Sequence, residues 1–142
     1  MKIITLGTFD LLHYGHIRLF KKCKELSGGS SVTVGLNTDD FIEKYKGKKP
    51  IVSYEDRKKT IEELNLVDYV LPNDQKSGDA KKIILASGAK LIVIGSDWAK
   101  KDYVGQLGVD WEWLDANDIG ICYLNYTGGI STTELKRRIK EQ

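Results

Sequence analysis

Short apolar runs alternate with stretches of helical period along the whole of this 142-residue chain, and few folds accommodate that order. Residues 2–6, 31–36, 69–71, 91–94 and 121–124 read as strands. Residues 16–26 read as a helix that turns Leu19, Cys23 and Leu26 to one side and Arg18, Lys21, Lys22 and Glu25 to the other, ended by Gly28 and Gly29. Further helices are expected over 39–45, 53–65, 79–88 and 110–117, and from Ser131 onward. Ser53 and Ser131 each precede an acidic residue, Asp56 and Glu134, by three positions, the spacing of a capping box.

Strands separated by helices form crossover units, so the expected fold is α/β: a Rossmann-like, doubly wound, mostly parallel five-stranded sheet with helices on both faces, in a single domain over 1–142. The uninterrupted apolar run 91–94 suits a strand covered on both sides. Such sheets bind ligands beyond the carboxyl ends of their strands, where the strand order reverses. The loops after Leu6, Leu36, Ile94 and Leu124 are therefore where chemistry is expected.

Charge narrows the partners. The 22 basic and 20 acidic side chains leave a net charge of +2, which argues for neither a nucleic-acid nor a membrane partner. The short apolar N-terminus reads as a first strand and not as a signal peptide, and no run approaches the roughly 20 apolar residues that span a bilayer. Two cysteines without metal-like spacing, Cys23 and Cys122, read as thiols in a reducing compartment, and the expected location is the cytoplasm.

The loop after the first strand reads Gly7-Thr8-Phe9-Asp10-Leu11-Leu12-His13-Tyr14-Gly15-His16. It holds both histidines of the chain, three residues apart, where the first long helix begins. A helix N-terminus attracts anions through its dipole and its unpaired N–H groups. Two imidazoles beside it can donate hydrogen bonds to phosphate oxygens and stabilise charge that grows during displacement at phosphorus. Gly7 and Gly15 allow close approach of backbone and ligand, and Asp10 reads as a residue that orients the loop. The blander alternative is a pair of solvated or core histidines near a turn. The basic run around Lys46, Lys48 and Lys49 reads either as a solvated loop or as a phosphate contact.

This run resembles the Gly-x-Phe-Asp-x-x-His-x-Gly-His signature of the nucleotidylyltransferase superfamily. Gly129-Ile130-Ser131-Thr132-Thr133 resembles the second signature of its cytidylyltransferase branch. Gly95-Ser96-Asp97-Trp98, Ser53-Tyr54-Glu55-Asp56-Arg57-Lys58 and Val67-Asp68-Tyr69-Val70 are similar to segments of glycerol-3-phosphate cytidylyltransferases, in the same order. The resemblance implies transfer of CMP from CTP to a phosphorylated small alcohol such as glycerol 3-phosphate, with release of pyrophosphate. It implies catalytic roles for His13, His16 and Lys46, and nucleotide contacts from Gly7, Thr8, Phe9, Asp97, Trp98, Thr127, Ile130, Ser131 and Thr132. It also implies Mg²⁺ carried by the triphosphate, with no metal ligands assigned to the protein, and a homodimer.

The chain departs from the family pattern in three places. Tyr126 stands where the second signature has an arginine, and Asn65-Leu66 stands near where another arginine is usual. The stretch 100–118 is about ten residues longer than the family pattern and carries Tyr103, Trp111 and Trp113. It reads as a surface helix packed by its aromatics, or as a lid or a contact between copies that shapes the acceptor site. An adenylyltransferase of the same superfamily and a nucleotide-binding module without turnover are the alternatives to a cytidylyltransferase.

Overall fold

The computed structural model describes residues 1–125 and 129–142. Five strands, β1 (Ile3–Gly7), β2 (Val32–Asn37), β3 (Tyr69–Asn73), β4 (Leu91–Gly95) and β5 (Gly120–Leu124), form one sheet in the order β3-β2-β1-β4-β5. Every neighbouring pair is parallel, so the sheet is wholly rather than mostly parallel. Alternation along each strand sends side chains to opposite faces. Ile4, Leu6, Ile92 and Ile94 pack on one face, against α4 (Lys81–Ser87), α5 (Tyr103–Gln106) and α6 (Trp111–Ala116). Ile3, Val32, Val34 and Val93 pack on the other, which α1 (Tyr14–Ser27) and α3 (Tyr54–Glu63) cover with Phe20, Cys23 and Ile61. The doubly wound α/β expectation holds, and among the described residues no helix is long and apolar enough to cross a membrane.

The boundaries differ from the sequence reading in instructive ways. Strand β3 runs on through Pro72 to Asn73. A proline lacks the N–H that a central strand needs, and β3 is an edge strand, where that loss is tolerated. Helix α1 buries Phe20, Cys23 and Ser27, whereas Leu26 is 43% exposed. The buried stripe is rotated by about one residue from the expected one. Ser27 is accommodated because its hydroxyl donates to the Lys24 carbonyl and its own carbonyl accepts from the N-terminal ammonium. The two cysteines, remote in sequence, are free thiols of one apolar cluster, and burial pushes the Cys23 thiol up to about 12.

Strand order reverses between β1 and β4, because β1 continues to β2 on one side while the chain returns from β3 to β4 on the other. The carboxyl ends of these strands are Gly7 and Gly95, and both signature loops meet there. Helix α7 (Thr132–Lys140) has no fully buried residue. It is docked instead by the Thr132 hydroxyl, which donates to the Asp10 carbonyl at 2.6 Å, and by Lys136, 3.8 Å from the Asp10 carboxylate.

Candidate active site

The two histidines cap a helix with their own rings. His13 is the N-cap of α1, in extended conformation, and its Nδ1 accepts from the Gly15 N–H at 3.0 Å. The His13 N–H in turn donates to Nδ1 of His16 at 3.2 Å. This is the reciprocal geometry of a capping box, built from imidazoles instead of a hydroxyl and a carboxylate. An Nδ1 that accepts a hydrogen bond carries no proton, so each neutral ring holds its proton on Nε2, as a donor. The rings stack with centroids 3.8 Å apart. Gly15 has to be glycine for this arrangement, since a Cβ there would lie 2.8 Å from Cε1 of His13.

Electrostatics keep the rings neutral. Burial lowers the His13 pKa from its usual value. His16 is lowered from 6.5 to about 3, by burial first and by the neighbouring His13 second, against a smaller upward pull from Asp10. A lowered folded-state value means that the unfolded chain takes up the proton first. Stability is therefore complete above about 6.5 and falls as the pH drops from there toward about 3. Ring-proton NMR is expected to show His16 still neutral at pH 5, and thermal melts to show a falling midpoint over that window.

The loop around the rings is strained and braced. Phe9 and Leu11 have φ of 51° and 50°, a region few non-glycine residues occupy. Phe9 is buried and meets His16 edge-on, with centroids 5.3 Å apart. A Cβ on Gly7 would lie 3.0 Å from the Phe9 ring. The Asp10 carboxylate accepts from the Ile51 and Val52 N–H groups at 2.8 and 2.9 Å, the loop-orienting role expected of it.

Arg57, which sequence reasoning left without a role, is 2% exposed and ties this region together. It donates to the carbonyls of Val52, Thr8 and Asn37 and to the Asp39 carboxylate, at 2.7–2.9 Å. A polar chain runs beside it: Asn73 donates to Asn37, Asn37 donates to the Thr8 hydroxyl, and that hydroxyl lies 3.2 Å from the Tyr45 hydroxyl. Nothing local in the sequence marks Arg57, because its partners come from the loop after β1, the end of β2, the start of α2 (Asp39–Lys46) and the loop before α3.

Two cavities open on either side of His16, with volumes of about 540 and 660 Å³. The larger lies between the N-termini of α1 and α7 and is lined by His13, Arg18, Asn125, Ile130 and Ser131. The smaller is lined by Thr8, Phe9, Lys46, Lys48, Lys49 and Trp98. His16, Gly95, Asp97, Thr132 and Thr133 border both. The residues expected to form one nucleotide site are thus divided: Gly7, Thr8, Phe9, Lys46 and Trp98 on one side, His13, Ile130 and Ser131 on the other.

Ser131 is the N-cap of α7, its hydroxyl accepting from the Glu134 N–H at 3.0 Å. The reciprocal half of that capping box gives way to ion pairs, because Glu134 turns to Arg137 and Arg138. The Thr132 hydroxyl is engaged with Asp10, which leaves backbone N–H groups of the α7 first turn for a ligand. Thr127, and Tyr126 at the place of the family arginine, lie outside the described residues. Of the long stretch, Lys101, Tyr103, Gln106 and Leu107 line the smaller cavity, whereas Trp111 is 60% exposed and Trp113 packs against the core beneath Lys81. Neither Trp111 nor Trp113 lines a described cavity.

Among the described residues no group of three His, Cys, Asp or Glu side chains is placed to hold a metal ion. Asp10 is held by backbone N–H groups and Lys136. Asp97 lies at the junction and lines both cavities.

Known proteins match this arrangement. A cytidylyltransferase-like family model matches residues 4–138. The chain is 39% identical to glycerol-3-phosphate cytidylyltransferase of Bacillus subtilis, over 97% of this chain and 96% of that protein. It is 36% identical to the Staphylococcus aureus protein of the same name, over 97% and 94%. The bifunctional protein HldE of Helicobacter pylori is 34% identical over 97% of this chain, which spans 27% of that longer protein. A solved structure of a lipopolysaccharide core biosynthesis protein from Thermoplasma volcanium superposes with a TM-score of 0.67 at 26% identity, over 89% of this chain and 96% of that one. With the family's matched span enclosing both cavities and the histidine cap, the chain is a nucleotidyltransferase and belongs to the cytidylyltransferase-like family, whose reaction is CTP-dependent transfer of a cytidylyl group.

Proposed function

We propose that the protein transfers CMP from CTP to a phosphorylated small alcohol of the glycerol 3-phosphate kind. The observation that carries this reading is the meeting of two cavities at His16, each suited to a different anion. The triphosphate lies in the larger cavity, where the α1 and α7 N-termini converge, and the base end reaches toward Ile130 and Asn125. The acceptor phosphate lies in the smaller cavity against Lys46, Lys48 and Lys49.

An acceptor phosphate oxygen attacks the α-phosphorus of CTP, the bond from that phosphorus to the bridging oxygen breaks, and pyrophosphate leaves with the electron pair. The acceptor oxygen is already ionised, so no general base is required. His13 and His16 donate from Nε2 to the oxygens on which charge accumulates, and Lys46 holds the incoming phosphate. Gly7, Thr8 and Phe9 shape the floor beneath the reacting atoms, while Asp97, Trp98, Ser131 and Thr132 border the ligands. Mg²⁺ carried by the triphosphate would offset its charge. The setting is the cytoplasm, which free thiols and a CTP substrate suit, and the working form is a homodimer, tested by sedimentation at twice the 16.0 kDa chain mass.

Pyrophosphate release with CTP, Mg²⁺ and glycerol 3-phosphate tests the reaction. Turnover with CTP at least tenfold above that with ATP is expected. Preference for ATP would favour the adenylyltransferase alternative, and CTP binding without product from any acceptor would favour a binding module.

A further inference from the structure

The smaller cavity is larger than a three-carbon acceptor requires. Glycerol 3-phosphate has ten non-hydrogen atoms. Even if each took the ~30 Å³ of a liquid water molecule, about 300 Å³ would be filled. The cavity measures about 540 Å³. Besides His16 and the lysines of 46–49, the cavity is lined by the segment between β4 and α6. Trp98 and Lys101 stand there, with the Lys101 ammonium 5.1 Å from the indole centroid. Tyr103, buried behind them, holds the indole at 5.3 Å between centroids. Gln106 follows on α5, and Gln75 reaches across from the loop after β3 to donate to the Gln106 carbonyl at 3.4 Å.

The chemistry of that wall differs from the near end. Three lysines facing a phosphate provide charge, whereas carboxamides provide a donor and an acceptor on one group and so match hydroxyls. We propose that the acceptor is a phosphorylated polyol or sugar of five or more carbons, with its phosphate at Lys46–Lys49 and His16 and its distal hydroxyls read by Gln75, Gln106 and Lys101. This rests on the cytidylyl-transfer reading and names the acceptor class within it. Gln106 and Lys101 are specificity residues on this account, remote from the reacting phosphorus.

The test compares glycerol 3-phosphate, ribitol 5-phosphate and glucose 6-phosphate as acceptors, with CTP saturating, in wild type and in Gln106→Leu and Lys101→Met. Both substituted side chains are exposed, so the variants are expected to fold. A longer acceptor should exceed glycerol 3-phosphate in kcat/KM by about tenfold or more. Gln106→Leu should then raise the KM of the longer acceptor about tenfold, while leaving the KM values for CTP and glycerol 3-phosphate within twofold. Best use of glycerol 3-phosphate, or an equal rise in KM for short and long acceptors in both variants, would overturn the inference and leave cytidylyl transfer standing. Absence of pyrophosphate release with every acceptor would overturn both.

Discussion

His13→Asn is expected to melt within a few degrees of the wild type and to turn over about 10²–10³-fold more slowly. The two halves of that result come from opposite ends of one ring. Nδ1 of His13 caps α1 by accepting from the Gly15 N–H. Asparagine places a carbonyl oxygen in the same role and is among the best N-cap residues. What it lacks is a second donor at the position of Nε2, and with it one hydrogen bond to the charge that develops on phosphorus. His13→Ala removes both ends, so it should lose roughly as much rate and about 1 kcal/mol of stability besides. Steady-state kinetics and calorimetry on the pair separate the cap from the catalyst. Equal kcat in His13→Asn and wild type would mean that the ring serves only the helix.

Arg57→Met should destabilise the protein by about 3 kcal/mol, the low end for breaking a buried ion pair, because Asp39 is partly exposed and can rehydrate. Removing the guanidinium also leaves the Thr8, Asn37 and Val52 carbonyls without a donor they now share. For a chain of this size the melting midpoint should fall by roughly 10 °C. Activity should fall further than stability, since Thr8 and the loop that follows Lys46 are both anchored on this side chain. Arg57→Lys should not restore either property, because one ammonium cannot span four acceptors arranged around a planar fork. Differential scanning calorimetry checks the first claim. A shift of less than 3 °C would show that the neighbouring backbone finds other donors.

The architecture was legible in the sequence because strand and helix periods alternate cleanly and because caps such as Ser53, Ser131 and Gly28 mark element ends. Reading failed where tertiary context outweighs local pattern. Pro72 looks like the end of a strand, but its place at the sheet edge lets β3 continue to Asn73. Leu26 looks like a core residue, but the stripe that meets the sheet passes through Ser27, whose polar atoms are satisfied locally. At the site, the histidine pair announced itself through spacing and position. Its tautomers did not, since they depend on two backbone hydrogen bonds visible only in three dimensions. Arg57 was hidden for a related reason: an arginine in the second turn of a polar helix carries no mark of burial. In the stretch 100–118 the tryptophans are the conspicuous residues, whereas those that line the smaller cavity are Lys101, Tyr103, Gln106 and Leu107.

A crystal structure with a non-hydrolysable CTP analogue and Mg²⁺ would measure where the Nε2 atoms of His13 and His16 point. They are expected within about 3 Å of α-phosphate oxygens, with both Nδ1 atoms still accepting from the backbone. Imidazoles rotated so that Nε2 makes the cap, or a triphosphate seated among Lys46, Lys48 and Lys49 instead of between α1 and α7, would contradict the assignment of nucleotide and acceptor to their cavities.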